Sequence, residues 1–226
     1  MIGIIGAMSE EISHFSEIME NKETKKFGSL EFISGKIYGK DVVCAMCGIG
    51  KVFAAVTAQT MILCYKPDMI INTGVAGSLT DELKVFDVAV GTASVQYDFD
   101  TTAFGDPLGL IPTLNTVKLP CDPKIIDMLC ACADELKIPH KRSIIATADR
   151  FLEDDGKKGF LREHFGASAC EMEGGSIGQV CVFNKVPYGI IRCISDSSGG
   201  TADYNEFVKR SAKISARITE LFIKNI

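Results

Sequence analysis

The sequence has no apolar stretch approaching the roughly 18 residues of a membrane-spanning helix, and no basic segment precedes its first apolar run. Met1-Ile2-Gly3-Ile4-Ile5-Gly6 is short and gives way at once to Glu10 and Glu11, unlike a secretory leader. A cytoplasmic location is expected. Excess positive charge is also lacking: 24 Lys and Arg against 29 Asp and Glu leave a net charge of −5. That balance argues against nucleic acid or an anionic membrane as partner and favours a small molecule. No linker, low-complexity tract or long repeat interrupts the 226 residues, so 1–226 is read as one domain.

The nine cysteines do not form a framework. Their number is odd, and Cys64, Cys130, Cys181 and Cys193 sit inside apolar runs, where a thiol behaves as a small hydrophobe. Cys44-Ala45-Met46-Cys47 has no second C-x-x-C to complete a zinc site. It falls in a strand candidate at 42–47, where residues three apart face opposite sides. No metal and no cofactor are expected.

What is present is an ordinary globular composition, 46% hydrophobic and 23% charged. Strand-like apolar runs alternate with helical periodicity, which points to the α/β class. Strands are expected at 2–6, 68–73, 143–148 and 188–194, a hairpin at 31–37 and 41–47, and extended chain at 85–95. Helices are expected from Glu10 with Ser9 as cap, and at 51–66, 124–136, 175–183 and 204–224. The segment 98–123 is irregular and too long for a simple connector, as functional or partner-contacting loops often are.

Three glycine clusters invite a phosphate-loop reading and fail its spacing. Gly3-Ile4-Ile5-Gly6 lacks the dinucleotide fingerprint. Gly48-Ile49-Gly50-Lys51 lacks the four-residue gap, and Val52 stands where a P-loop has Ser or Thr. Thr73-Gly74-Val75-Ala76-Gly77 follows a strand, as a ligand loop at the carboxyl end of a sheet does. Each is equally a set of tight turns. Among the carboxylates, Asp196 stands out because it follows an apolar strand that also carries Arg192. Glu171 and Glu173 flank Met172 and share a face if the stretch is extended. Glu11 reads equally as charge at a helix start. Composition and spacing leave glycosyl transfer, metal binding and polyol binding open.

Gly6-Ala7-Met8-Ser9-Glu10-Glu11, Gly48-Ile49-Gly50-Lys51, Asn72-Thr73-Gly74-Val75-Ala76-Gly77, Thr102-Ala103-Phe104-Gly105, Glu171-Met172-Glu173 and Arg192-Cys193-Ile194-Ser195-Asp196 stand in the order of one family. The chain resembles the 5'-methylthioadenosine/S-adenosylhomocysteine nucleosidases from residue 2 to about residue 222. The resemblance implies a nucleoside phosphorylase/hydrolase-like α/β fold, a three-layer sandwich with a twisted mixed central sheet. It implies hydrolytic release of adenine, with Asp196 delivering a proton to purine N7, Glu173 stabilising the ribosyl cation and Glu11 positioning water. Met172 and Arg192 would serve the ribose and its polar cluster, Phe151 and Leu152 the purine, and Met8, Ile49 and Tyr204 the 5'-alkylthio group. Ser195 and Val75 belong to the same motifs and are expected to bind substrate. Thr101 and Phe104 would reach the pocket of a neighbouring subunit, so a homodimer is implied.

The sequence departs from the family pattern at Val75, where serine is frequent, and at Tyr204, where phenylalanine is usual. Gly174-Gly175 replaces a more familiar alanine and threonine, and Ser197-Ser198-Gly199-Gly200 is unusually small in its side chains. These departures bear on the 5' substituent rather than on the reaction class. Three other functions are weighed beside the first: a phosphate-dependent nucleoside phosphorylase, a hydrolase of futalosine-type nucleosides, and a nucleoside-binding protein without catalysis.

Overall fold

The computed structural model describes residues 1–196 and 204–226, and the side chains of all of these except residues 196, 204 and 205. Its first half runs β1 (Ile2–Gly6), α1 (Ser9–Ile18), β2 (Glu20–Phe27), β3 (Leu30–Ile37), β4 (Lys40–Met46), α2 (Lys51–Tyr65), β5 (Met69–Ser78) and β6 (Val88–Gln96). After two short 3-10 turns come β7 (Leu119–Pro120), α3 (Pro123–Glu135), β8 (His140–Thr147), α4 (Asp155–Phe165), β9 (Ala167–Glu171), α5 (Gly174–Asn184), β10 (Tyr188–Asp196) and α6 (Tyr204–Asn225).

The runs without polar alternation become the middle of a mixed sheet. β4, β1, β5 and β10 lie side by side in parallel. Every residue of β1 is buried, as expected of a parallel strand covered on both faces. β5, β9, β8, β6 and β10 pair in succession, and β10 pairs back with β5, so this half of the sheet closes on itself. The antiparallel strands β3 and β2 extend the other half beyond β4. α1 and α3 pack against α6, which lies on β5 and β10, while α2 packs against α5. Ile4, Ile5, Phe15, Phe32, Ile70, Ile71, Ile190 and Phe222 are sealed in the main core. Each such side chain contributes about 1.5–3 kcal/mol by leaving water. Among the described residues, no helix is long and apolar enough to cross a membrane.

Three elements escape the periodicity. β2 reads Glu-Asn-Lys-Glu-Thr-Lys-Lys-Phe and is exposed throughout. Its pairing with β3 makes it a strand, and its charges suit an edge that must not recruit another chain. α4 buries only Leu161 and Phe165. It is set by its ends instead: the Asp154 carboxylate accepts from Gly156 N and Lys157 N, and Gly166 closes it at φ +71°. β9 is five small or polar residues buried between β8 and β5. The expected cap at α1 is also corrected. Met8 holds the N-cap place, and Ser9 lies inside the helix with its hydroxyl on Glu10 at 2.8 Å.

Candidate active site

The carboxyl ends of β1, β5, β9 and β10 open on a common cleft, where ligand sites arise in such folds. Glu11 enters from the first turn of α1 and is 1% exposed. Its carboxylate turns back to accept from Ala7 N at 2.6 Å and Met8 N at 3.0 Å, and reaches across to Val75 N at 3.0 Å. Helix-start charge and cleft residue are therefore both correct descriptions of it. Gly74 makes the approach possible, because a Cβ there would lie 2.5 Å from Arg192 Nη1 and 2.9 Å from Glu11 Cδ.

Arg192 comes from the middle of β10 and is the largest fully buried side chain among the described residues. It donates from Nη2 to Asn72 Oδ1 at 2.6 Å and from Nη1 to Val75 O at 3.2 Å. Nη2 also makes a short ion pair with Glu171 and stands 3.5 Å from Glu173 Oε2. The two glutamates do not share the face of one strand, as an extended stretch would require. Glu171 ends β9, and Glu173 occupies the N-cap place of α5 at φ −130° and ψ −41°. The turn between them nevertheless brings both carboxylates to one guanidinium. Glu171 further accepts from the Thr147 hydroxyl, Glu173 N and Gly174 N. Glu173 accepts from Gly50 N at 3.0 Å.

Three carboxylates thus share one buried cation. Burial pushes Glu11 above the usual carboxylate range, against the pull of Arg192 and three amides. Burial likewise pushes Glu173 up to about 7, opposed by Arg192 and reinforced by Glu171. For Arg192, burial favours the neutral form, but Glu171, Glu173 and Glu11 outweigh it and hold the cation.

The cleft has about 670 Å³ of empty space, continuous with solvent. Ala7, Met8, Ile49, Val75, Ala76, Phe151, Leu152 and Met172 form apolar walls, and Glu11, Glu171, Glu173 and Arg192 form its polar end. Ser195 also lines it. Leu152 is buried, whereas Phe151 and Ile49 are half exposed at the rim. The backbone of Asp196 pairs opposite Gly77 at the end of β10, after a register shift, and Tyr204 is the first residue of α6. The side chains of these two, and the tract Ser197-Ser198-Gly199-Gly200, lie outside the described residues. Thr101 and Phe104 do not line this cleft; Phe104 is 87% exposed, and Thr101 donates its hydroxyl to Asp106 at 2.8 Å.

The phosphorylase superfamily family model matches residues 1–224. The chain belongs to that superfamily. It is 41% identical to the aminodeoxyfutalosine nucleosidase of Campylobacter jejuni, over 95% of this chain and 94% of that one. It is 37% identical to the 5'-methylthioadenosine/S-adenosylhomocysteine nucleosidase of Shewanella sediminis, over 95% of each. A crystal structure of the Neisseria meningitidis nucleosidase of the latter name, in complex with methylthio-immucillin-A, superposes with a TM-score of 0.95. It is 36% identical, covering 100% of this chain and 99% of that one.

Behind the polar end of the cleft lie two buried polar residues to which the sequence reading gave no role. Asn72 and Thr147 are buried on β5 and β8 and orient Arg192 and Glu171. A polar residue directly after an apolar run was the available signal in both, Met69-Ile70-Ile71 before Asn72 and Ile144-Ile145-Ala146 before Thr147. Arg150 lines the rim beside Phe151 and had no signal at all. Gly174-Gly175 counts as a helix defect from sequence, at about 1 kcal/mol per glycine. In the fold it is a close approach. A Cβ on Gly175 would lie 2.8 Å from both Gln96 Cγ and Thr147 Cβ, so alanine there would crowd β6 and β8.

Proposed function

We propose that this protein hydrolyses the N-glycosidic bond of 5'-methylthioadenosine and S-adenosylhomocysteine, releasing adenine and the 5-thioribose product. The observation that carries the reading is the polar end of the cleft, where Glu11 and Glu173 flank Arg192 beneath apolar walls. The nucleosidase names of the full-length relatives support the substrate class. Glu173 accepts the ribose hydroxyls, and its charge stabilises the oxocarbenium-like sugar. Glu11, held by three amides, positions or deprotonates the attacking water. Asp196 delivers a proton to N7, because an anionic purine is a poor leaving group. Phe151 and Leu152 flank the purine, Met172 packs the ribose, and Met8, Ile49 and Tyr204 receive the 5' group. Water is favoured over phosphate as the nucleophile because the polar end holds three carboxylates. Among the described residues the one cation at that end is Arg192, which already serves Asn72, Val75 and Glu171.

The 41% identity to an aminodeoxyfutalosine nucleosidase favours one further reading, a larger 5' substituent on the same adenine nucleoside. Adenine release from a panel differing only at C5' tests both. Wild type is expected to turn over methylthioadenosine, and Asp196→Asn to lose adenine release while still binding it. Release from none of the panel, or near-normal turnover by Asp196→Asn, contradicts the assignment.

The continuous sheet supports one domain over 1–226, and the helix groups α1, α3, α6 and α2, α5 support a three-layer arrangement about it. A homodimer is part of the proposal. α2 is apolar nearly all round, yet Val52, Phe53 and Val56 are more than half exposed. Such a helix needs cover on its second face. Thr101 and Phe104 would then reach the neighbouring cleft. We also place the protein in the cytoplasm, since the thiols of Cys44, Cys121, Cys130, Cys181 and Cys193 are packed as small hydrophobes in the main core.

A further inference from the structure

Within Gly48-Ile49-Gly50-Lys51, which imitates a phosphate loop without its spacing, only Ile49 has been given a part in the reaction just described, as a wall of the 5' pocket. In the fold, Gly50 and Lys51 are the N-cap and first residue of α2, with no side-chain cap and no acidic residue in the first turn. Carboxylates from distant parts of the chain fill that place, as the unpaired amides and dipole of a helix start favour. Gly50 N donates to Glu173 Oε1 at 3.0 Å, and the next amide, Lys51 N, donates to Asp149 Oδ1 at 2.7 Å. The Lys51 side chain is only 17% exposed, and its ammonium donates to Asp98 Oδ1 at 2.6 Å. The other oxygen of Asp98 accepts from Asp149 N at 3.0 Å. Gly50 sits at φ +102°, and a Cβ there would lie 3.0 Å from Asp149 Oδ1, so the contact needs glycine.

These bonds tie the start of α2 to two loops, the one after β6 at Asp98 and the one after β8 at Asp149. The second continues through Arg150 to Phe151 and Leu152 on the cleft wall and has no regular structure of its own. We propose that Asp149, held by Lys51 and Asp98, is a positioning residue that fixes the 149–152 loop in register with Glu173. The link runs through two adjacent amides of α2. It rests on the reading of that loop as the purine wall. A loop ordered before substrate arrives does not charge its ordering entropy to binding.

The test uses the full chain with Asp149→Ala, Asp149→Asn, Asp98→Ala and Lys36→Ala, the last removing an exposed ion pair with Asp41 far along the sheet. Asp149→Ala and Asp98→Ala are expected to raise KM for methylthioadenosine by about tenfold or more, with kcat changed less than about threefold. Asp149→Asn keeps an acceptor for Lys51 N and should recover most of the loss, and Lys36→Ala should match wild type. Unchanged KM in Asp149→Ala, or an Asp149→Asn variant equally impaired, overturns the proposal. Hydrogen exchange of residues 149–153 reads the tie without any substrate. It should quicken in Asp149→Ala alone among the Asp149 variants, and unchanged exchange overturns the tie. Should wild type release no adenine, the proposed function fails, and the exchange result by itself decides for or against the tie.

Discussion

Gly74→Ala is the sharpest single test of the site's geometry, because it adds one methyl group between the two groups said to share the work. The new Cβ would stand 2.5 Å from Arg192 Nη1 and 2.9 Å from Glu11 Cδ, and closer still to Glu11 Oε1. Ordinary carbon contacts begin about 3.5 Å apart, so something must move by about 1 Å. The strand cannot yield easily, since Gly74 is in register with Arg192 within the β5–β10 ladder. Glu11 and Arg192 are both pinned by several hydrogen bonds and sealed from solvent. A shift of about 1 Å at a reacting group costs about a hundredfold in rate, equivalent to about 2.7 kcal/mol of transition-state stabilisation. Overpacking of this kind also lowers stability by about 1–3 kcal/mol. At about 2–4 °C per kcal/mol for a chain of this size, the variant stays folded at 25 °C. The assay is kcat/KM for adenine release beside a thermal melt, with Gly39→Ala as control. Gly39 has φ +75° and nothing within 4 Å of a Cβ, so its alanine is strained without touching the cleft. Both variants should melt lower, and only Gly74→Ala should lose activity. A folded Gly74→Ala within about threefold of wild-type kcat/KM would refute the placement of Glu11 and Arg192.

With Glu173 titrating at about 7, kcat/KM should climb through that pH as the carboxylate ionises, and Glu173→Gln should lack this limb. The same group binds more protons folded than unfolded above the ordinary carboxylate range, so its contribution to stability is full below that range and lost as pH rises through about 7. The melting temperature of Glu173→Gln relative to wild type should therefore increase from about pH 5 to about pH 8, and a flat difference contradicts the shift. Val56→Asp places a charge on the uncovered face of α2 and should give monomers by light scattering with little residual turnover; a monomeric wild type with full activity would remove the dimer from the account.

Much of the α/β alternation was legible because buried parallel strands carry uninterrupted apolar runs, such as Ile2–Gly6 and the Met69-Ile70-Ile71 that opens β5. β2 was not, since its strand character comes from pairing with β3 and from no pattern of its own. α4 was missed, because its apolar face is sparse and its limits are set by the Asp154 cap and by Gly166 rather than by periodicity. In the site, the family motifs located Glu11, Glu173 and Arg192, but their joint geometry depends on turns that one-dimensional spacing does not encode. Glu171 and Glu173 meet Arg192 because β9 ends between them and α5 begins. The Lys51–Asp98–Asp149 contacts span separations of 47 to 98 residues and exist only once the sheet has closed.

The central claim is that water, not phosphate, attacks the sugar in a cleft whose polar end is acidic. Purified protein incubated with 5'-methylthioadenosine in phosphate-free buffer, and again with added inorganic phosphate, tests it through the mass of the sugar product. The account predicts adenine and free 5-methylthioribose in both, at the same rate. Adenine release that requires phosphate, with a sugar 1-phosphate as the product, would contradict it.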